Sequence, residues 1–213
     1  MKSFINRVTC GDCLLLLPEL PDGSVDFVLT DPPYLVSYRD RSDRTVAGDD
    51  RADWLQPAFS QIHRVLRDDS FCVSFYGWTQ ADKFLCAFRA AGFTPVGHMV
   101  FVKRYASNDR SERSFLRYHH EQAYLLAKGK PDMPRALLSD VFQWRYTGNT
   151  RHPTEKPVST LIPLVYAFTG VDDIVLDPFC GSGSTLVAAQ ILGRQFIGME
   201  LSAQHAKTAQ RRL

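Results

Sequence analysis

The sequence predicts an α/β protein, built on a mostly parallel sheet with helices on both faces. Three observations predict it. Short apolar runs alternate with helix-patterned segments along the whole chain. Several of those runs are apolar at nearly every position. No internal repeat and no linker-like stretch rich in Gly, Ser or Pro interrupts them. Strands covered on both faces read as continuous apolar runs, and strand–helix alternation builds parallel sheets. The 213 residues are 45% hydrophobic and 23% charged, which excludes a disordered or collagen-like chain and suits one core. Residues 1–213 are therefore read as a single domain.

The elements follow in order. A strand at 5–10 precedes a short helix at 13–17 and a second strand at 25–29, VDFVL. The helix at 54–66 places Leu55, Phe59, Ile62, Val65 and Leu66 on one face, so that face meets a core. A strand at 71–76, FCVSFY, leads to a helix at 79–91. Strands at 96–102 and 121–127 come next, then a helix at 158–168. The last third alternates again, with a strand at 173–176, a helix at 185–192, a strand at 195–199 and a helix at 203–212.

Two stretches break the rhythm. Residues 35–53 and 104–120 are long, polar and aperiodic, and loops of that length are functional or disordered. The first carries Arg39 and Arg41. The second carries Arg104, Arg110, Arg113 and Arg117 beside Lys103, against Asp109 and Glu112, with Tyr105, Phe115 and Tyr118 interleaved. Alone, such a charge run reads as a solvated surface. Facing a nucleic acid, it reads as an arm that meets phosphates and bases. The net charge of +2 announces no such partner by itself. Five scattered cysteines suit a reducing compartment, and no apolar run approaches the roughly 18 residues of a membrane span. The start, MKSFINRVTCGD, lacks the apolar stretch of a signal peptide. A cytoplasmic protein with no membrane partner is expected.

Two short motifs carry chemistry. Residues 173–185 read as strand, tight turn and helix, with Gly181 and Gly183 allowing close backbone approach. Glu200 ends the next strand 17 residues past Gly183, near where an acid binds ribose hydroxyls in doubly wound folds. With no third glycine in register, the loop fits an adenosine ligand lacking a pyrophosphate; the alternative is an ordinary strand–helix turn. The second motif, Asp31-Pro32-Pro33-Tyr34, follows a strand. Its prolines remove donors and leave carbonyls to accept, Asp31 adds a carboxylate, and Tyr34 offers a flat face. Together these make a receptor for a planar group bearing an amine, although Asp, Pro and Tyr also simply end strands.

The pair Asp31-Pro-Pro-Tyr34 and Asp177-Pro-Phe-Cys-Gly-Ser-Gly183 resembles the amino-group DNA methyltransferases that use S-adenosylmethionine, and its order resembles their beta class. Cys10-Gly-Asp-Cys13 and His152-Pro-Thr-Glu-Lys-Pro157 extend the resemblance from about Gly11 to Leu201. It implies a Rossmann-like, circularly permuted seven-stranded sheet, in which the chain begins mid-sheet and adds its cofactor strands last. It implies that Asp177, Phe179, Gly181, Ser182, Gly183 and Ser184 cradle the methionine part, and that Thr154 or Lys156 meets its end. Glu200 would bind the ribose hydroxyls and Asp12 would face the adenine amine, with Cys13 and Leu201 as further cofactor contacts. Asp31 would border the cofactor while, with the Pro32 carbonyl, holding the target amine. Pro33 would shape the turn and Tyr34 would stack on a flipped base, a role Phe or Trp would also fill. Double-stranded DNA would be the partner, with a homodimer as one assembly. Adenine is favoured by Asp at the tetrapeptide start. Cytosine, an RNA substrate and a catalytically silent nucleic-acid-binding protein are the alternatives. The resemblance brings restriction–modification enzymes into view without naming a target.

No separate target-recognition domain is expected, since only residues 131–151 lie between the last central strand and His152. Recognition would fall on 35–53 and 104–120. No metal is expected: Cys10 and Cys13 have ligand spacing but no second pair, and zinc needs four ligands. Cys180 has no adjacent histidine to activate it. His119 and His120 read as surface or DNA contacts, Trp54, Trp78 and Trp144 as core or rim. Arg211 and Arg212 read as charges complementing a helix dipole.

Overall fold

The computed structural model describes residues 1–39, 45–103, 116–145, 148 and 155–213. Strands β1 (Arg7–Cys10), β2 (Val25–Thr30), β3 (Leu66–Tyr76), β4 (Thr94–Lys103), β5 (His120–Lys128), β6 (Val141–Trp144), β7 (Ile174–Asp177) and β8 (Gln195–Glu200) form one sheet. Its order is β1-β8-β7-β2-β3-β5-β4-β6. β5 runs antiparallel to β3 and β4, and the remaining pairings are parallel.

Alternation along the strands sorts side chains onto two cores. Val28, Cys72, Leu176 and Ile197 meet one layer of helices, α1 (Cys13–Leu16), α2 (Leu55–Val65) and α3 (Ala81–Ala90). Phe27, Leu29, Val73, Phe75 and Val175 meet the other, α4 (Val158–Phe168), α5 (Ser184–Ile191) and α6 (Ala203–Gln210). Period-two alternation in a doubly covered sheet requires this split.

All seven expected strands are present, with three differences of detail. An eighth, β6, pairs with β4 through Val100↔Val141 to Lys103↔Trp144. Four residues within a polar stretch give too little pattern to announce a strand. β3 starts at Leu66, directly after α2, through exposed Arg67, Asp68 and Asp69, an irregular stretch with Asp69 at φ 52° that no apolar run marks. The chain also begins at an edge of the sheet and not in its middle: β7 and β8 insert between β1 and β2. The outer edge of β1 is covered by α6, whose Gln210 Nε2 donates to the Val8 carbonyl at 3.0 Å. Such cover suppresses edge-to-edge pairing.

The 35–53 stretch, where described, is folded around one carboxylate. Asp49 is buried and accepts from the backbone N–H groups of Leu35 (2.7 Å), Tyr38 (2.6 Å) and Val36 (3.3 Å). Those bonds offset the left-handed backbone of Leu35 (φ 61°) and Ser37 (φ 52°), which costs of order 1 kcal/mol each for such residues.

Candidate active site

The carboxyl ends of β2, β7 and β8 open into one crevice of about 390 Å³. Open α/β sheets bind ligands at this end. The crevice brings together Asp12, Cys13, Asp31, Pro32, Pro33, Tyr34, Lys156, Asp177, Phe179, Gly181, Ser182, Ser184, Glu200 and Leu201. Thr154 lies outside the described residues, as do Arg41, Arg104, Arg110 and Arg113. Trp54 closes one wall, 5.1 Å from the Phe179 ring, with its indole N–H donated to the Gly48 carbonyl at 2.9 Å.

The glycine loop is held mainly by backbone donors. Buried Asp177 accepts from Thr30 Oγ1 at 2.9 Å and from the Phe179 N–H at 3.2 Å, which bends the chain at the end of β7. Burial pushes its carboxyl up to about 7, against the lowering effect of its hydrogen bonds. The Gly181 N–H donates to Glu200 Oε2 at 2.9 Å, and the Ser202 N–H to Oε1 at 2.8 Å. Glu200 thus ties two loops together while facing the crevice. Asp12 caps α1, accepting from the Leu14 N–H at 2.9 Å.

Gly183 corrects one expectation. It does not line the crevice: φ is +81°, and a Cβ there would stand 2.9 Å from the Ala209 Cβ. Glycine at 183 serves the turn into α5 and its approach to α6. Arg212 corrects another. Its Nη1 donates to the Ser182 carbonyl (2.6 Å) and hydroxyl (3.0 Å) and to Ser184 Oγ (3.2 Å), so it clamps the loop. Its Nη2 stands 3.8 Å from buried Glu155. An arginine pair following a helix gives no signal of such a clamp.

The tetrapeptide side is built from side chains. Lys156 Nζ lies 2.5 Å from Asp31 Oδ2 and 3.1 Å from Glu121 Oε2. Lys103 Nζ lies 2.6 Å from Glu121 Oε1. The Tyr34 hydroxyl has one proton for two acceptors, Asp31 Oδ1 at 2.7 Å and Glu121 Oε2 at 3.1 Å, and accepts from Lys156 at 3.2 Å. Phe75, Tyr34 and Trp144 surround the Lys156 ammonium at 4.8 to 5.5 Å from their ring centres. Burial and the Glu121 charge raise the Asp31 carboxyl, against Lys156. Burial would raise Glu121 too, but Lys156 and Lys103 together hold it down at about 2. Burial disfavours the Lys156 ammonium, yet its two carboxylates keep it raised above an ordinary lysine.

In the sequence Glu121 reads only as the polar start of a strand, with no signal of this role. Lys103, counted there with the basic loop, ends β4 and is spent on Glu121. Arg39 forms an isolated antiparallel bridge with Thr45, and Arg117 is exposed just before β5. Exposed Trp78 stacks on Tyr118 with ring centres 5.6 Å apart. Trp54 and Trp144 are buried. Burial pushes the Cys13 thiol up to about 12 and the Cys180 thiol well above its usual range, which suits packing and not nucleophilic attack. Among the described residues no cluster of His, Cys, Asp and Glu could hold a metal ion, and no helix is long and apolar enough to cross a membrane.

The chain is similar to known proteins. The methylase-named YubD of Escherichia coli (strain K12) is 51% identical over 98% of this chain and 90% of its own length. The DNA adenine methyltransferase YhdJ of the same organism is 27% identical over 95% of this chain and 81% of its own. Among solved structures, the M1.HpyAVI–SAM complex superimposes with a TM-score of 0.76 at 22% identity, covering 97% of this chain and 98% of that one. The cytosine-N4-specific PvuII DNA methyltransferase gives 0.77 at 17% identity, covering 97% and 85%. The sequence model of the DNA methylase family N6_N4_Mtase matches residues 25–211, and the chain belongs to that family.

Proposed function

We propose that this protein transfers a methyl group from S-adenosylmethionine to the exocyclic amine of adenine in DNA. The observation that carries the reading is the shared crevice: Asp31 and Tyr34 from the end of β2 face the same space as the Gly181 loop and Glu200. The lining fits the cofactor. Gly181 lets a ligand approach the main chain, Glu200 offers an acceptor at the end of β8, and Phe179 with Trp54 makes an apolar wall. Asp177, Phe179, Gly181, Ser182 and Ser184 would hold the methionine part, Glu200 and Leu201 the ribose, and Asp12 and Cys13 the adenine. Bound there, S-adenosylmethionine supplies a methyl on a sulfonium, a leaving group that needs no metal.

The chain's own residues supply orientation. An exocyclic amine is a weak nucleophile because its lone pair delocalises into the ring. Asp31 and the Pro32 carbonyl accept its two hydrogens and favour a tetrahedral nitrogen aimed at the methyl carbon. Each carboxylate oxygen has two acceptor positions, so Asp31 can take the amine while retaining Lys156 and Tyr34. Alignment can contribute up to ~7–11 kcal/mol of the barrier. Tyr34 stacks on the extruded base and offsets part of the few kcal/mol that flipping costs. Asp31 need not take the proton itself, because the product cation is acidic enough to lose it to water.

Asp at the tetrapeptide start and the likeness to YhdJ favour adenine. The likeness to the PvuII enzyme keeps cytosine N4 as the second reading. Unmethylated bacterial DNA, and RNA in parallel, incubated with labelled cofactor, digested and analysed by mass spectrometry, decides. N6-methyladenine in DNA is expected. N4-methylcytosine selects the second reading, while label confined to RNA, or no label at all, overturns both.

A further inference from the structure

We propose that Glu121 is a positioning residue of the target-amine receptor, acting on Asp31 through the Lys156 ammonium and the Tyr34 hydroxyl. The inference rests on reading Asp31 as the acceptor of the amine. Glu121 itself is not part of the crevice lining. Its Oε2 stands 3.1 Å from Lys156 Nζ and 3.1 Å from the Tyr34 hydroxyl, and these two groups occupy Asp31 Oδ2 and Oδ1 in turn. The four side chains therefore close a ring, with Lys156 and Tyr34 also in contact across it at 3.2 Å.

Glu121 fixes the ring to the sheet. It stands on β5, and Lys103 at the end of β4 grips its other oxygen at 2.6 Å. Lys103 is itself seated 5.0 Å from the centre of the Trp144 ring on β6. Two carboxylates and two ammonium groups balance, so the acceptor side carries no net charge when a neutral base enters. Remove the Glu121 charge and Lys156 has Asp31 as its one remaining carboxylate in this ring. The ammonium is then drawn onto the oxygens that the amine needs, and the Tyr34 proton has Asp31 as its one ionised acceptor. Orientation errors of about 1 Å at a reacting centre can cost ~100-fold in rate.

The groups facing Asp31 and Glu121 are Tyr34 after β2, Lys103 on β4, Lys156 ahead of α4 and Asp177 at the end of β7. Removing one anion from this set makes the Asp31 carboxylate easier to form, so the acid limb of the rate profile moves to lower pH. Glu121→Gln keeps the shape and deletes the charge. In the full-length protein on unmethylated bacterial DNA, kcat is expected to fall about 10- to 100-fold. KM for S-adenosylmethionine should stay within twofold, with the acid limb displaced downward. An unchanged kcat, or a fall in kcat with the acid limb unmoved, overturns the proposal and leaves Glu121 a packing residue.

Lys103→Met is the second variant, should Glu121→Gln fail to fold. It frees Glu121 from its anchor and removes a cation, so kcat falls while the acid limb moves the opposite way, to higher pH. A Lys103→Met enzyme matching wild type in both respects also overturns it. Wild-type protein that methylates no DNA instead sinks the underlying reading of Asp31, an outcome that neither variant can mimic.

Discussion

Asp177 is a buried carboxylate and Glu121 a partly buried one within the same active region, yet their environments push them in opposite directions. Asp177, on the glycine-loop side, has hydroxyl and backbone donors for partners, and burial leaves its carboxyl near neutrality at about 7. Glu121, on the tetrapeptide side, is gripped by two ammonium groups that hold it down at about 2. Donors of different charge account for the difference. The glycine-loop side is electrostatically incomplete by itself and is suited to a ligand that brings positive charge, as a sulfonium does. The tetrapeptide side is already neutralised and is suited to an uncharged base.

That contrast breaks most sharply at Asp31, which borders both halves. Asp31→Ala should lower methylation by more than about 100-fold, the scale for losing a preorganised polar contact to the reacting group. DNA binding should largely survive, because phosphate contacts carry it. Activity above a tenth of wild type in a labelled-methyl assay would remove Asp31 from the acceptor role and dissolve the distinction between the halves.

The two carboxylates also divide the pH range of stability between them. Asp177 is raised on folding, from an unfolded value near 3.8 to about 7, so between those values the native state holds more protons than the unfolded chain. Stability therefore falls as pH rises from about 4 to about 7, by on the order of 3 kcal/mol from this group alone. Asp31, also raised, adds to the same slope. Glu121 is lowered, so its contribution is complete above about 4.5 and disappears as pH falls toward about 2. Thermal melts of Asp177→Asn between pH 5 and 8 should show a flatter profile than wild type, with a relative gain at pH 8. A slope identical to wild type would mean that Asp177 titrates normally and that the glycine-loop side lacks no charge.

Arg212 sharpens the comparison from the other direction, since it is the clamp that the glycine-loop side does possess. Its bonds to Ser182 and Ser184 are charge-assisted, and such bonds contribute roughly 1.5–3 kcal/mol each when partly buried. Arg212→Met should raise KM for S-adenosylmethionine about tenfold, the equivalent of ~1.4 kcal/mol in binding, with kcat on saturating cofactor little changed. Equal damage to kcat would show that the loop and the base receptor are not separable.

What the sequence makes legible follows the same division. The glycine loop and Asp31–Tyr34 stand out in the sequence because each places its chemistry within a single turn, where spacing alone defines geometry. Strand identity is equally legible: VDFVL and FCVSFY are apolar at nearly every position because both sheet faces are covered. What escaped was everything that depends on which strands lie side by side. Glu121 and Lys103 come together because β5 and β4 pair side by side, and Lys156, ahead of α4, links Glu121 to Asp31, a fact absent from any local pattern. The position of β1 at the edge escaped for the same reason. Asp49 escaped because a loop organised by one carboxylate has no periodicity to find, and Arg212 because its partners lie about thirty residues away in sequence.

Tyr34 is where the two levels of reading disagree most usefully. Read from sequence, it is a stacking ring, so Phe should serve as well. In the structure its hydroxyl supplies the one proton lying between Asp31 Oδ1 and Glu121 Oε2. Tyr34→Phe keeps the flat face but leaves those two oxygens short of a donor, at a cost of about 1 kcal/mol for a partly buried hydrogen bond. The expected result is a three- to tenfold lower kcat, smaller than the loss from Tyr34→Ala, which removes the ring as well. Cofactor affinity should not change, because the defect lies wholly on the tetrapeptide side. If Phe matches Tyr, the hydroxyl is a bystander and the ring of side chains does not govern the amine. If Phe is as poor as Ala, stacking contributes nothing, and the base is held by its edge alone.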